Sequence, residues 1–222
     1  MSNAETRGLG WRRDLPDFRD LTFESNEIQS ILRISAPFKS ATGPGAVLPA
    51  STDLRKWCTR VRQQGKLRSS TAFAVVALTE YFERRAFGKH ENFSELFLYR
   101  STRDLLGYRD DIGAELRSTF RALQKFGMPP ESLYPYEEAR QLEAPPAYCY
   151  GFVEQFRSVR YFRVDDARSS PKDVLTNVRK CLASRLPLAF GLSVYTSFPL
   201  EGEGSDIQLP EPGEQLVGGH AM

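Results

Sequence analysis

An α+β fold is predicted, with a mainly helical lobe first and an antiparallel β lobe after it. Three observations carry this expectation. Between residues 69 and 126 apolar side chains recur at helical spacing. Near residue 150 the character changes, and Phe152, Phe156, Val159, Tyr161 and Phe162 suggest strand. Leu188, Phe190, Leu192 and Val194 then alternate strictly, as a half-buried strand does. At 222 residues, with 41% apolar and 26% charged side chains, the chain can bury a sizeable core.

Residues 1–47 read as an N-terminal lead-in, polar and turn-rich, with Trp11, Leu15 and Phe18 as anchors. Ser25 to Leu32 makes one short helix, and Ala41-Thr42-Gly43-Pro44-Gly45 reads as a flexible connector. Two roles stay open for the lead-in: a strap on the domain surface, or a short pro-segment that blocks a cleft. Ser2-Asn3-Ala4 resembles the scar of tag removal, which puts the natural start elsewhere.

The second domain runs from 48 to 222, with its helical lobe over about 48–148 and its β lobe over about 149–222. Ser69 and Ser70 stand where an N-cap belongs. Phe73, Val76, Ala77, Tyr81 and Arg84 follow on one face, so a long central helix is expected over about 69–87. Ser94 caps a second helix, with Leu96, Phe97, Tyr99 and Arg100 in its opening turns. The third helix, about 114–126, carries Leu116, Phe120 and Leu123, and Gly127 and Pro129-Pro130 end it. Ser170-Pro171 opens a fourth, with Val174, Val178, Cys181 and Leu182 facing inward. Residues 187–195 read as strand, and Glu201 to Gln215 as a long acidic loop.

Composition excludes several function classes. A net charge of +2 supplies no broad field for nucleic acid or membrane. No run of about 18 apolar residues exists to span a bilayer, and the charged N-terminus lacks the apolar core of a secretory signal. Cys58, Cys149 and Cys181 are widely spaced, with no CxxC pair and no ligand cluster. Neither a metal, a cofactor nor a disulfide framework is expected, and Cys181 reads as a buried small hydrophobe.

Two readings are open for Ser69 and Ser70. They simply cap a core helix, or one occupies a nucleophile position, where unpaired N–H groups and the helix dipole favour negative charge. The run from Gln63 to Ala74 resembles the active-site segment of papain-like cysteine peptidases, closest to bacterial members reading Gln-Gly-x-Leu-Gly-Ser-Cys-Thr-Ala. The resemblance extends in order through the Gly10-Trp11 lead-in element, Leu48–Arg55, Tyr134-Pro135-Tyr136, Phe190–Phe198 and Val217-Gly218-Gly219-His220-Ala221. It implies a two-lobe papain-like fold whose β lobe the chain carries only in part. It also implies the roles. Gln64 takes the oxyanion-hole position, Ser70 that of the nucleophilic cysteine, and His220, 150 positions after Ser70, that of the general base and acid. Gly113 becomes the wall where substrate backbone pairs, with a plain turn glycine the equal alternative, and Arg68 replaces a glycine beside the substrate. Leu67 stands where secreted relatives carry a disulfide cysteine. His90, between Lys89 and Glu91, is read as structural or exposed.

In that family a thiolate paired with imidazolium attacks the peptide carbonyl. Serine cannot form this ion pair, because its alkoxide is out of reach where a thiol needs only a modest shift. The family's asparagine would follow after residue 222. The expectation is therefore an inactive papain-like homologue that binds a peptide or protein in its cleft. Two alternatives are weighed against it. One is an active cysteine peptidase in which Ser70 was introduced and the chain shortened. The other is a serine-nucleophile hydrolase resembling silicateins, against which the absent asparagine counts. A partly carried β lobe would leave a sheet edge able to pair with a second copy.

Overall fold

A computed structural model describes residues 8–166, 168–198 and 207–222. The chain divides into two compact units, one of residues up to Asp14, Thr59–Ser158 and Ala189–Met222, the other of Leu15–Cys58 and Val159–Leu188. The N-terminal Ser2-Asn3-Ala4 and part of the expected acidic loop lie outside the described residues.

The first unit is built on α3 (Ser70–Phe87), which packs against α4 (Glu95–Leu106), α5 (Leu116–Phe126) and β2 (Leu216–Ala221). The expected signals terminate these helices. Ser94 Oγ accepts from the Phe97 N–H at 3.1 Å and donates to the Tyr134 carbonyl at 2.6 Å. Gly127 closes α5 at φ +66°, a conformation that disfavours any side chain. Val75, Val76, Tyr81, Leu96, Phe97 and Leu123 fill the core between the helices. Strand β1 (Gly191–Tyr195) pairs antiparallel with β2, setting Leu192 opposite His220, with an irregularity between Val194 and Tyr195.

Two expectations fail in this region. No strand forms over 152–162; Ala147–Gln155 is instead a 3-10 helix. Its aromatic residues have rings, not an alternating face, to satisfy: Tyr150 meets Phe97 at 5.0 Å and Phe156 meets Phe93 at 5.4 Å, both edge-on. The strand expected over 187–195 is confined to Gly191–Tyr195, because Leu188 is drawn into the core of the second unit.

That second unit contains α1 (Asn26–Leu32), α2 (Ala36–Thr42) and α6 (Pro171–Ala183) around Phe23, Ile28, Leu32, Phe38 and Cys181. Helix α2 replaces the start of the expected connector. Phe38 and Ala41 are buried, and α2 packs on α6, so tertiary contact outweighs a weak local signal. Ser170 and Asp173 form a complete capping box at the head of α6. Cys181 is buried as expected, and burial pushes its thiol up to about 12. Of the other two cysteines, Cys58 is exposed and Cys149 buried. Among the described residues no helix is long and apolar enough to cross a membrane, and no cluster of metal-ligating side chains forms.

A buried ion cluster ties the first unit together. Arg62 reaches Glu80 of α3 and Glu95 of α4, each at 2.7 Å, and Glu131 at 3.8 Å. Both α-helical carboxylates are buried, and desolvation raises Glu95 from 4.5 to about 7 against the pull of Arg62. A carboxyl group raised on folding binds its proton more tightly in the native state, so its contribution is complete at low pH and is lost as pH rises to about 7. Glu95→Gln is therefore expected to flatten the stability profile: relative to the variant, the native chain loses melting temperature between pH 4.5 and about 7. Parallel profiles from pH 4 to 8 would contradict this. Ser94→Ala is expected to cost about 1–2 kcal/mol in denaturant unfolding, since it removes a cap and strands a buried carbonyl.

Candidate active-site cleft

Ser69 and Ser70 are both buried at the head of α3, and the Ser69 side chain does not cap the helix. Ser69 Oγ pairs with Tyr136 Oη at 2.7 Å, and that phenol donates to the Gln64 carbonyl at 2.8 Å. Ser70 Oγ accepts from the Ala221 N–H at 3.3 Å. The residue after His220 thus touches the Ser70 hydroxyl. The His220 imidazole is half-buried on β2, burial lowers its pKa, and Nδ1 has no hydrogen-bond partner among the described residues. Desolvation opposes the charged ring and no carboxylate answers it.

Gln64 joins the same cluster by its amide. Nε2 donates to the Gly8 carbonyl at 2.6 Å and to the Leu67 carbonyl at 2.9 Å, so both its hydrogens are engaged. Arg68 contributes through its backbone. Its side chain is exposed, while its N–H meets both Asp111 carboxylate oxygens at 3.1 Å. Gly113 is buried at φ +81°, and its N–H donates to Tyr99 Oη at 3.2 Å. The phenol in turn donates to Asp111. Burial and the Asp111 carboxylate both hold the Tyr99 proton on.

The cleft these groups outline contains a segment of the chain itself. The Ala114 N–H donates to the Gly10 carbonyl and the Arg12 N–H to the Ala114 carbonyl, both at 2.9 Å, while the Trp11 N–H donates to the Gly219 carbonyl at 3.0 Å. Residues 10–12 therefore bridge the Gly113–Ala114 wall and β2 in extended form. Every close approach falls on glycine. A Cβ at Gly10 would stand 1.9 Å from the Arg68 carbonyl oxygen, one at Gly113 2.0 Å from the Gly10 oxygen, and one at Gly191 1.9 Å from the Trp11 indole. Beyond Trp11, Arg12 lies 5.2 Å over the Tyr108 ring, and the Arg117 N–H donates to Asp14 at 3.2 Å.

Of the residues singled out in the sequence, Ser70 meets the main chain of the residue after His220, while Gln64, the Arg68 backbone and Gly113 surround Gly8 and Gly10. His90 stays outside, near Glu83, Phe87 and Glu91 after the far end of α3. Sequence reading kept a cleft-blocking role open for the lead-in without naming Gly10 and Trp11 as the residues seated there, and it missed Tyr136 as a hydroxyl partner, and Asp111 and Tyr99. The usable signal was the Gly8-Leu9-Gly10-Trp11 pattern, since glycines beside one large ring announce close backbone approach. Gly113→Ala meets both a positive φ and the Gly10 oxygen, and is expected to cost about 1–3 kcal/mol and to speed amide exchange at Arg12 and Ala114. Native-like exchange at both would contradict the arrangement.

No family model matches the chain. A peptidase C1-like protein of Acanthamoeba polyphaga mimivirus is 28% identical over 229 residues, covering 98% of this chain and 72% of the viral protein. The crystal structure of xylellain, a cysteine protease from Xylella fastidiosa, superposes with a TM-score of 0.71 at 27% identity, covering 100% of this chain and 80% of that one. Sequence and fold agree: over its whole length the chain is similar to papain-like cysteine peptidases.

Proposed function

We propose that this chain uses a papain-like cleft to bind an extended peptide or protein segment and, with serine at position 70, does not hydrolyse it. In this reading Ser70 holds the nucleophile position, His220 the general base and acid position and Gln64 the oxyanion position. Gly113 and the Arg68 backbone form the walls. The observation that carries it is the seating of residues 10–12, whose main chain pairs with Ala114 on one side and Gly219 on the other. Backbone pairing of this kind accepts an extended chain and leaves choice of sequence to side-chain pockets.

The electrostatics support the absence of turnover. A peptidase of this family depends on a thiolate and an imidazolium stabilising each other. The Ser70 hydroxyl supplies no anion at neutral pH, and burial keeps the His220 ring neutral. Gln64 spends both amide hydrogens on carbonyls of this chain, one from Gly8. An active peptidase with cysteine at 70 is the second reading, favoured by the retention of Gln64 in the segment before α3 and of His220 on β2.

One experiment tests both. Ser70→Cys is made in a Cys58→Ser background, because Cys58 is exposed and would react while Cys149 and Cys181 are buried. A thiol-directed inhibitor and a fluorogenic peptide panel are then applied across pH 5–9. Labelling at position 70 that begins below the ordinary thiol range, together with His220 titrating above its present value, is expected from this site. Turnover as well would favour the second reading. No labelling in a folded variant would sink the assignment of Ser70 and His220.

A further inference from the structure

The carboxylate of Asp111, in the loop between α4 and α5, stands where two walls of the cleft come together. It accepts from the Arg68 N–H through both oxygens at 3.1 Å and from the Tyr99 hydroxyl. Tyr99, buried on α4, accepts in turn from the Gly113 N–H at 3.2 Å. A continuous chain of hydrogen bonds thus runs from the segment entering α3, through one carboxylate and one phenol, to the Gly113 wall. Its first link, Arg68 to Asp111, joins residues 43 positions apart. Bonds to an ionised acceptor are stronger than neutral ones, and the chain passes from an exposed Arg68–Asp111 link to a buried Tyr99–Gly113 link.

What this chain spans is the seat of Gly10. The Arg68 carbonyl presses on Gly10 from one side, and the Gly10 carbonyl presses on Gly113 from the other, each leaving no space for a Cβ. The gap is one glycine backbone wide, and the two groups that border it, Arg68 and Gly113, are the two that Asp111 ties. Arg68 also precedes Ser70 by two residues, so the same carboxylate anchors the approach to the head of α3.

We propose that Asp111 is the positioning residue of the cleft: its carboxylate, with Tyr99 as relay, holds the Arg68 segment and the Gly113 wall at the separation that admits an extended backbone. This rests on reading the cleft as a peptide site. A residue that merely satisfied the Arg68 N–H would leave the Gly113 wall indifferent to its removal. A positioning residue does not.

The test is residue-resolved amide exchange in the full chain, comparing Asp111→Asn and Tyr99→Phe with the native protein. The reference is the Phe190–Met222 pair, which closes the strand ladder with bonds of 2.9 Å in both directions and touches neither residue. In Asp111→Asn, exchange at Arg68, Arg12 and Ala114 is expected to quicken by about tenfold or more while Phe190 and Met222 keep their rates. In Tyr99→Phe, which cuts the relay and leaves the Arg68 bond, Gly113 and Ala114 are expected to quicken while Arg68 stays slow. Native rates at Arg12 and Ala114 in Asp111→Asn would overturn the proposal, as would a rise shared by Phe190 and Met222, which marks general loosening. Should Asp111→Asn fail to fold, Tyr99→Phe decides, and unchanged Gly113 and Ala114 rates would overturn the proposal. The readout is independent of a thiol at position 70. Labelling there with native exchange in Asp111→Asn would sink only the role of Asp111, and absence of labelling would sink the assignment of Ser70 and His220.

Discussion

Three successive residues at the head of α3 are each tied to a different part of the chain. The Arg68 N–H is held by Asp111, the Ser69 hydroxyl by Tyr136, and the Ser70 hydroxyl by the Ala221 N–H. A helix begins with N–H groups that have no partner within it, and burial makes unsatisfied polar groups costly. At a solvated helix end water would answer. Here Ser69 and Ser70 are wholly buried, so protein groups must. Satisfying them fixes the loop before α5, the Tyr136 segment and the last strand around one point, and the cleft is what these three leave between them.

The floor of that cleft is held by charge. Arg62, two residues before Gln64, pairs with Glu80 of α3 and Glu95 of α4 inside the helical core. Removing one partner of such a cluster would leave a buried charge uncompensated, which costs more than the pair itself contributes. The segment carrying Gln64 is thereby locked to the two helices, and Gln64 arrives beside Gly8 and Leu67 with both amide hydrogens committed. Stability and site geometry share these residues, so the pH that loads Glu95 bears on the cleft as well.

The cleft itself is made for backbone against backbone. Gly10, Gly113 and Gly191 each stand where a Cβ would overlap a neighbour by more than a side chain can yield. Extended chain enters such a gap through main-chain hydrogen bonds, and the N-terminal residues 10–12 make them on both sides. The likeness to papain-like cysteine peptidases extends over the whole chain. In the proposed function, serine at position 70 separates the binding geometry, which needs only backbone, from the chemistry, which needs a low-pKa nucleophile.

Much of this was legible in the residues. The span of α3, the Ser94 cap, the Gly127 stop and the Ser170-Pro171 start act within a few positions, so local pattern reveals them. Gln64, Ser70, His220, Gly113 and Arg68 were singled out because their order and spacing resemble a family, not because any single residue announced a role. The aromatic run near 150 misled, since Phe156 and Tyr150 satisfy their rings edge-on and need no alternation. The α2 helix was hidden because Phe38 and Ala41 gain their stability against α6 rather than from propensity. Sequence alone determined the helices other than α2 and their ends, because caps and periodicity are local. Only the tertiary structure decided that Gly8 meets Gln64 across 56 positions, Asp111 meets Arg68 across 43 and Ala221 meets Ser70 across 151. Those contacts exist because burying one helix end forces distant polar groups to find each other, and no local pattern encodes which ones will.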